Sequence, residues 1–134
     1  MEQVRTFDAQ LPVESKQYRK LHLEGEPNLN LPSDRTFPGT SVFPQASRIK
    51  SIIRRTGATT LLDYGCGKGK QYEARNIEIP GEGVFETLQD YWDLDFIYCF
   101  DPAYPRFSRA PDFAVGGVIC TDVLEHCHAE DLTW

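Results

Sequence analysis

A chain of 134 residues has room for a single hydrophobic core, which excludes two independent domains of ordinary size. Its hydrophobic fraction of 40% and charged fraction of 25% are those of a soluble globular protein. The net charge of −6 disfavours a nucleic-acid partner, because phosphate binding requires a concentrated basic field. No apolar run reaches the length of a membrane span, and the N-terminus lacks a signal-peptide pattern. We therefore expect a cytoplasmic protein with no membrane partner, whose four cysteines are reduced thiols.

Residues 1–44 hold many turn-forming residues and little regular periodicity. Tyr18 and Leu21 share one face of a short helix that the pattern permits over residues 15–23. The remainder predicts an ordered arm, a lid or a disordered segment. We therefore place a boundary at residue 44 and expect the main domain over residues 45–134.

Residues 45–56 give the clearest helix prediction. Apolar and small residues recur there at three- and four-residue steps, namely Ala46, Ile49, Ile52, Ile53 and Thr56. Pro44 suits the first turn of a helix, and Gly57 suits the position just after its end. We expect the isoleucine stripe to pack against a sheet, immediately before the first strand.

The stretch TTLLDYGCGKGK, residues 59–70, predicts a buried strand that ends in a tight loop. Its apolar run is short and continuous, as in a central parallel strand covered on both faces. Asp63 follows the run, and Gly65, Gly67 and Gly69 come next on alternate positions. Glycines at these positions permit positive φ and let backbone N–H groups approach a ligand with no Cβ in the way.

Two short helical segments are predicted after the glycine loop. Residues 70–76 can begin a helix whose first N–H groups would face an anionic group. Pro80 and the glycines near it end that segment, and residues 85–92 predict a second amphipathic piece.

Two further buried strands are predicted in the last third of the chain. Residues 96–100 (FIYCF) form one apolar run, with Asp101 directly after it. Residues 118–122 (VICTD) form the other and end at Asp122. The proline-broken residues 101–111 between them predict a loop.

Residues 59–70 resemble the first motif of the class I S-adenosylmethionine (SAM)-dependent methyltransferases, an apolar strand followed by an acid and alternating glycines. Residues 116–132 (GGVICTDVLEHCHAEDL) resemble that family's fourth strand and the turn after it. The resemblance implies a Rossmann-like α/β fold, a three-layer αβα sandwich with a mainly parallel sheet of seven strands. It also implies that residues 1–44 form a lid over the cofactor.

The sequence ends just after the strand that resembles the family's fourth. We therefore expect an incomplete version of the family fold, either a fragment of a longer product or a reduced domain. A reduced domain would leave a sheet edge exposed, which invites pairing with a second copy or with the missing half.

The resemblance implies a SAM site in and around the glycine loop. That loop, with Gly65, Cys66, Gly67 and Gly69, would run under the methionine part of SAM. The reaction would be methyl transfer to an unidentified acceptor, in which the protein contributes proximity, orientation and a dry site.

Three acids complete the site that the resemblance implies. Asp63 would hold the loop and attract the ammonium group, Asp101 would accept hydrogen bonds from the ribose hydroxyls, and Asp122 would face the transferring methyl. Each acid could instead serve as a strand-end turn or a helix cap.

Other interpretations of the loop stay open. A dinucleotide fingerprint, G-x-G-x-x-G, needs a glycine where Lys70 stands, and a P-loop needs one where Tyr64 stands. A nucleotide-binding Rossmann oxidoreductase is accordingly the weaker alternative. A non-catalytic SAM-binding or partner module is the other, because half of the family's sheet is missing.

A last constellation is formed by Glu125, His126, Cys127 and His128. His126 is a candidate general base, because the pKa of histidine lies near neutrality, and a structural role is its alternative. We expect no metal site, because zinc requires three or four ligands and the sequence shows no second cluster.

Overall fold

The computed structural model describes residues 13–124. The helices are α1 (Val13–Glu24), α2 (Ala46–Thr56), α3 (Lys70–Glu73) and α4 (Leu88–Trp92). The strands are β1 (Thr60–Tyr64), β2 (Ile77–Ile79), β3 (Gly83–Phe85), β4 (Phe96–Phe100) and β5 (Gly117–Ile119). Four single 3-10 turns lie at Pro27–Leu29, Ser33–Arg35, Phe43–Gln45 and Pro105–Phe107. Within the described range, no helix has the length and apolar character needed to cross a membrane.

Helix α2 confirms the strongest local prediction. Ala46, Ile49 and Ile53 are buried along one side, as the spacing indicates. Gly57 adopts φ 70° and donates its N–H to the Ile53 carbonyl at 2.9 Å, which closes the C-terminus. Arg54 lies in the last turn, where a cation interacts favourably with the helix dipole. Three residues, 57–59, therefore separate the end of this helix from the first strand.

A three-stranded parallel sheet, in the order β4-β1-β5, forms the centre of the fold. Leu61 of β1 lies opposite Ile97 of β4 and Gly117 of β5. The mixed α/β class is therefore confirmed, with β1 as the central strand. Among the described strands, β4 and β5 each pair only with β1 and are sheet edges. Pairing of an edge with another chain stays a prediction.

The core lies on one face of this sheet. Leu61, Ile97 and Ile119 point to that face, and α2 and α4 pack over it with Trp92 and Leu88 fully buried. The opposite face leaves Phe96 38% and Val118 61% exposed. The three-layer sandwich therefore stays a prediction.

A β-hairpin was missed by the sequence interpretation, which placed only a helix end near Pro80. Strands β2 and β3 pair antiparallel, with Ile77 opposite Phe85 and Ile79 opposite Gly83. The signal was present, because alternating Ile-Glu-Ile runs directly into a Pro-Gly-Glu-Gly turn. Ile77 and Ile79 are buried and extend the core under α4.

Replacing Trp92 with alanine is expected to lower the free energy of unfolding by about 3–5 kcal/mol. Its ring is 2% exposed, and its indole N–H donates to the Ala46 carbonyl at 3.0 Å, so the change opens a cavity and removes this hydrogen bond. Urea unfolding measures the difference. Val84→Ala is the control, because that side chain is 65% exposed and its loss should cost little. Equal losses in both variants would contradict this account of the core.

Candidate ligand site at the glycine loop

The order of the strands creates one preferred crevice. The chain leaves β1, forms β4 on one side of it, and returns to form β5 on the other side. In open parallel sheets, ligands bind outside the carboxyl ends of the strands where the order reverses in this way. Asp63, Asp101 and Asp122 lie at the carboxyl ends of β1, β4 and β5, so the sheet brings the three predicted acids to one edge.

The glycine loop, residues 65–69, turns through three left-handed glycines. The φ angles of Gly65, Gly67 and Gly69 are 77°, 59° and 61°. A Cβ on Gly65 would lie 2.3 Å from Val123 Cγ2, and a Cβ on Gly67 would lie 2.6 Å from the Phe37 carbonyl oxygen. The glycines therefore satisfy both the backbone conformation and the packing of this chain against itself.

On its inner side, the loop is hydrogen-bonded to the end of β4. The N–H groups of Gly65 and Cys66 donate to the Phe100 carbonyl at 2.7 and 3.3 Å. The N–H of Gly67 donates to Asp101 Oδ2 at 2.9 Å. The first half of the loop is thereby fixed to the neighbouring strand.

On its outer side, the loop is covered by residues 36–39, a segment that we call the strap. Three consecutive strap carbonyls accept N–H groups from the loop and from α3: Lys68 to Phe37 at 2.9 Å, Lys70 to Pro38 at 3.0 Å, and Gln71 to Gly39 at 3.0 Å. A Cβ on Gly39 would lie 2.2 Å from the Cys66 carbonyl oxygen, so the two backbones are in direct contact. The N–H groups expected to face an anion instead donate to this strap.

Lys68 fastens the strap from inside the loop. Its Nζ donates to the Thr36 carbonyl, to Thr36 Oγ1 at 3.0 Å and toward His22 Nδ1 at 3.0 Å. The residue is only 7% exposed, and burial lowers the pKa of its ammonium. A buried ammonium with three partners holds the strap far more firmly than a surface lysine would.

His22 joins α1 to the same cluster. Its ring stacks on Tyr104 at a centroid distance of 5.0 Å and lies 4.9 Å from the Phe37 ring. Burial, with the nearby Lys68 charge as a second cause, lowers the pKa of His22 to about 4. The imidazole is therefore neutral at pH 7 and acts as a hydrogen-bond acceptor for Lys68.

Asp63 is the most deeply buried acid of the site, at 1% exposure. Its Oδ2 accepts hydrogen bonds from Gln71 Nε2 at 2.9 Å and from the Tyr72 hydroxyl. Its Oδ1 is buried and has no hydrogen-bond partner among the described residues. Burial raises the pKa of Asp63 to about 6, although the two hydrogen bonds oppose the shift.

Asp101 uses both carboxylate oxygens within the chain. Oδ2 accepts the Gly67 N–H, and Oδ1 accepts the Ala103 N–H at 2.9 Å. The His22 Nε2 lies 4.0 Å from Oδ2. Burial raises the pKa of this carboxyl as well. Asp101, the residue predicted to bind the ribose hydroxyls, thus stabilises the glycine loop and the turn after β4 with its carboxylate.

Asp122 occupies the open side of the crevice. It is exposed and adopts φ 54°, a left-handed conformation that aspartate tolerates. Beside it, Thr121 Oγ1 and Ser41 Oγ lie 2.7 Å apart, which joins the chain just after the strap to the chain just after β5. Of the three acids, Asp122 is therefore the one whose charge is available to a molecule in solution.

The remaining predicted residues divide between the loop and the undescribed end of the chain. Cys66 belongs to the loop, and its side chain is buried. Glu125, His126, Cys127 and His128 lie outside the described residues. Within residues 13–124, no three histidine, cysteine or acidic side chains are grouped to hold a metal ion.

Sequence reasoning missed Thr36, His22 and Lys68 as site residues. No local pattern marks them, because each comes from a different segment and they meet only through the fold. The one available signal was a lysine between two glycines of a tight loop, where a long side chain has to cross to another segment.

No protein-family model matches the chain, and neither a curated protein nor a solved structure is detectably similar to it. The fold and the site geometry alone therefore bear on function.

Proposed function

We propose that this chain is a SAM-binding domain of Rossmann-like α/β type that transfers a methyl group to an unidentified acceptor. The observation that carries the proposal is the position of the acid and the three left-handed glycines. The acid lies near the carboxyl end of the central strand of a parallel sheet, and the glycines follow that strand, at the point where the strand order reverses. Asp101 and Asp122 flank that point on the neighbouring strands.

The donor set suits the cationic groups of SAM. The unpartnered Oδ1 of Asp63 is an acceptor that an ammonium could satisfy, and the exposed Asp122 carboxylate suits a sulfonium. The loop amides donate to the strap, so the carboxylate of SAM would have to find other donors or displace strap carbonyls. The ammonium and sulfonium groups of SAM therefore fit the acidic residues present, Asp63 and Asp122.

Bound SAM supplies an activated methyl group on a positively charged sulfur. The residues of this chain would bind and orient that group. Asp122 would attract the positive charge at the crevice mouth. The strap and Val123, which packs on Gly65, would exclude water from the loop side. Such a transfer needs no covalent residue, so positioning is the main contribution of the protein.

A non-catalytic SAM-binding or partner module is the second candidate. The observation that favours it is that the backbone N–H groups of the loop all donate to acceptors within the chain. Both carboxylate oxygens of Asp101 likewise accept hydrogen bonds within the chain. The two candidates differ in turnover. Formation of S-adenosylhomocysteine with a pool of acceptors would favour the enzyme, and binding without turnover would favour the module.

Calorimetric titration with SAM, with NAD as the comparison ligand, tests the proposal directly. We expect saturable SAM binding and no comparable NAD binding. Preferential NAD binding would favour the nucleotide-binding oxidoreductase instead. If circular dichroism shows a folded chain and neither ligand binds, the SAM proposal is wrong.

Asp122→Asn is expected to weaken SAM binding by roughly fivefold and to leave S-adenosylhomocysteine binding almost unchanged. A charge pair near the surface contributes about 1 kcal/mol, and only SAM carries the sulfonium charge. Asparagine also tolerates the left-handed conformation, so the fold should be preserved. Asp112→Asn is the matched control, because that exposed aspartate lies on the loop before β5 and pairs with Arg109. Equal weakening of both ligands would contradict the assigned role.

A further inference from the structure

Two cysteine thiols meet beneath the glycine loop. Cys99 lies in β4 in register with Asp63, and Cys66 is the second residue of the glycine loop after β1. The neighbouring Cys99 thiol is the main cause of the raised pKa of Cys66, whose sulfur lies 3.4 Å from the Gly67 carbonyl oxygen. A Cβ on Gly69 would lie 3.4 Å from Cys99 Sγ. Both sulfurs therefore lie against residues of the glycine loop.

The two thiols differ in access to solvent. Cys66 is 3% exposed. Cys99 is partly exposed and lines a surface cavity of about 290 Å³, together with Phe107 and the arginines Arg106 and Arg109. Partly exposed cysteines in electropositive surroundings are the reactive ones, because the thiolate is the nucleophile. The cavity therefore makes Cys99 accessible to a small solute, whereas Cys66 is buried and does not line it.

The charges around the cavity are all on the surface. Arg106 lies 3.3 Å from the Glu73 carboxylate, and Arg109 lies 3.8 Å from that of Asp112. These pairs are exposed and contribute little to stability. On the buried side, the neighbouring Cys99 thiol and then burial raise the pKa of Cys66, which disfavours direct attack of that thiol on peroxide.

We propose that Cys99 is a peroxide-oxidation site and that Cys66 is its resolving cysteine. The Cys99 thiol loses its proton, and the thiolate attacks one oxygen of hydrogen peroxide. The O–O bond breaks and the sulfur becomes a sulfenic acid. The hydroxide that leaves takes up the proton that Cys99 released and becomes water. The Cys66 sulfur then attacks the Cys99 sulfur, the S–O bond breaks, and the Cys66 proton leaves with that oxygen as a second water. Two thiols and one peroxide thus give one disulfide and two waters.

The disulfide would move the glycine loop. Two bonded sulfurs lie about 2.05 Å apart, which is much closer than two contacting thiols. The Cys66 carbonyl accepts the Gly69 N–H and touches the strap at Gly39, so drawing Cys66 toward β4 displaces both contacts. This inference is independent of the proposed SAM binding, because it concerns only the thiols and the loop.

Peroxide treatment of the whole chain, followed by alkylation under denaturing conditions and peptide mass spectrometry, tests the proposal. We expect a linked pair of peptides containing Cys66 and Cys99, which a reducing agent separates. Cys66→Ser should instead accumulate a Cys99 sulfenic acid that dimedone traps. In Cys99→Ser, or in Cys99→Ala if the serine variant does not fold, Cys66 should stay fully alkylatable.

Cys120 is the internal control, because it is a partly exposed cysteine of the same chain. Arg106→Gln should slow oxidation of Cys99 several-fold, whereas Arg54→Gln at the end of α2 should not. Oxidation of Cys99 no faster than of Cys120 would overturn the reactive role. Conversion of Cys99 to sulfinic acid in the unaltered chain, with Cys66 still alkylatable, would overturn the resolving role.

Discussion

Lys68→Met is expected to lower the free energy of unfolding by about 2–4 kcal/mol and to release the strap from the glycine loop. Methionine has a similar length and no donor. The Thr36 carbonyl and His22 Nδ1 would then lie buried without the partner that Lys68 Nζ provides. The hydrogen bonds from the loop to the strap lose the side chain that holds the two segments together.

Urea unfolding measures the loss of stability, and amide hydrogen exchange measures the release. The amides of residues 68, 70 and 71 donate to the strap, so their protection should fall in the variant. Lys70→Met is the matched control. Its Nζ also reaches the arm, at the Asp34 carbonyl, but Lys70 is exposed and its loss should cost less than about 1 kcal/mol. Unchanged protection in Lys68→Met would show that the strap is held by its backbone alone.

The parts of the fold that could be predicted are those governed by nearby residues. The spacing of Ala46, Ile49 and Ile53 specified α2 to within one residue, because a helix face repeats every three to four positions. The run before Asp63 specified β1, although the strand extends to Tyr64. The helix expected over residues 70–76 is shorter, since Ala74 is extended and ends α3 after one turn.

The parts that could not be predicted depend on contacts distant in the chain. The three alternating glycines indicated a loop that a ligand approaches closely. In the structure the approach is made by Phe37 and Gly39 of the strap, which the sequence places some thirty residues earlier. A glycine pattern indicates that another group packs closely against the loop. It does not indicate whether that group is a ligand or another segment of the chain.

The acids show the same limit. Their positions at strand ends followed from the alternation of apolar runs and single carboxylates. Their surroundings did not, because the burial of Asp63 depends on Gln71 and Tyr72 and that of Asp101 on the turn at Ala103. Only Asp122 retains the open carboxylate expected of a ligand-binding residue, which is why the binding prediction uses it.

Asp63→Asn is expected to make the protein lose about 3 kcal/mol of stability between pH 6.5 and pH 4 relative to the unaltered chain. The reason is that Asp63 and His22 titrate with opposite effects on folding. The pKa of His22 falls from 6.5 to about 4 on folding, so the unfolded chain binds the proton more readily in that interval. Stability from this group is complete above pH 6.5 and is lost as the pH falls toward 4, by about 3 kcal/mol.

Asp63 acts in the other direction. Its pKa rises from 3.8 to about 6 on folding, so the folded chain holds the proton more tightly in that interval. Its unfavourable contribution is absent below pH 3.8 and grows as the pH rises toward 6, to about 3 kcal/mol. In the unaltered chain the two contributions nearly cancel between pH 4 and pH 6. The Asp63→Asn substitution removes the contribution of the acid to the pH dependence of stability. The stability that His22 loses on acidification is then no longer offset.

His22→Asn is the complementary variant, because asparagine keeps an acceptor for Lys68 and does not titrate. Relative to the unaltered chain, it should gain about 3 kcal/mol as the pH falls from 6.5 to 4. Urea unfolding at several pH values, with each variant compared to the unaltered chain, removes the contributions of all other groups. Parallel pH profiles for the two variants would contradict opposite titration. Profiles that diverge on acidification would show that the buried cluster around the glycine loop balances one abnormal group against the other.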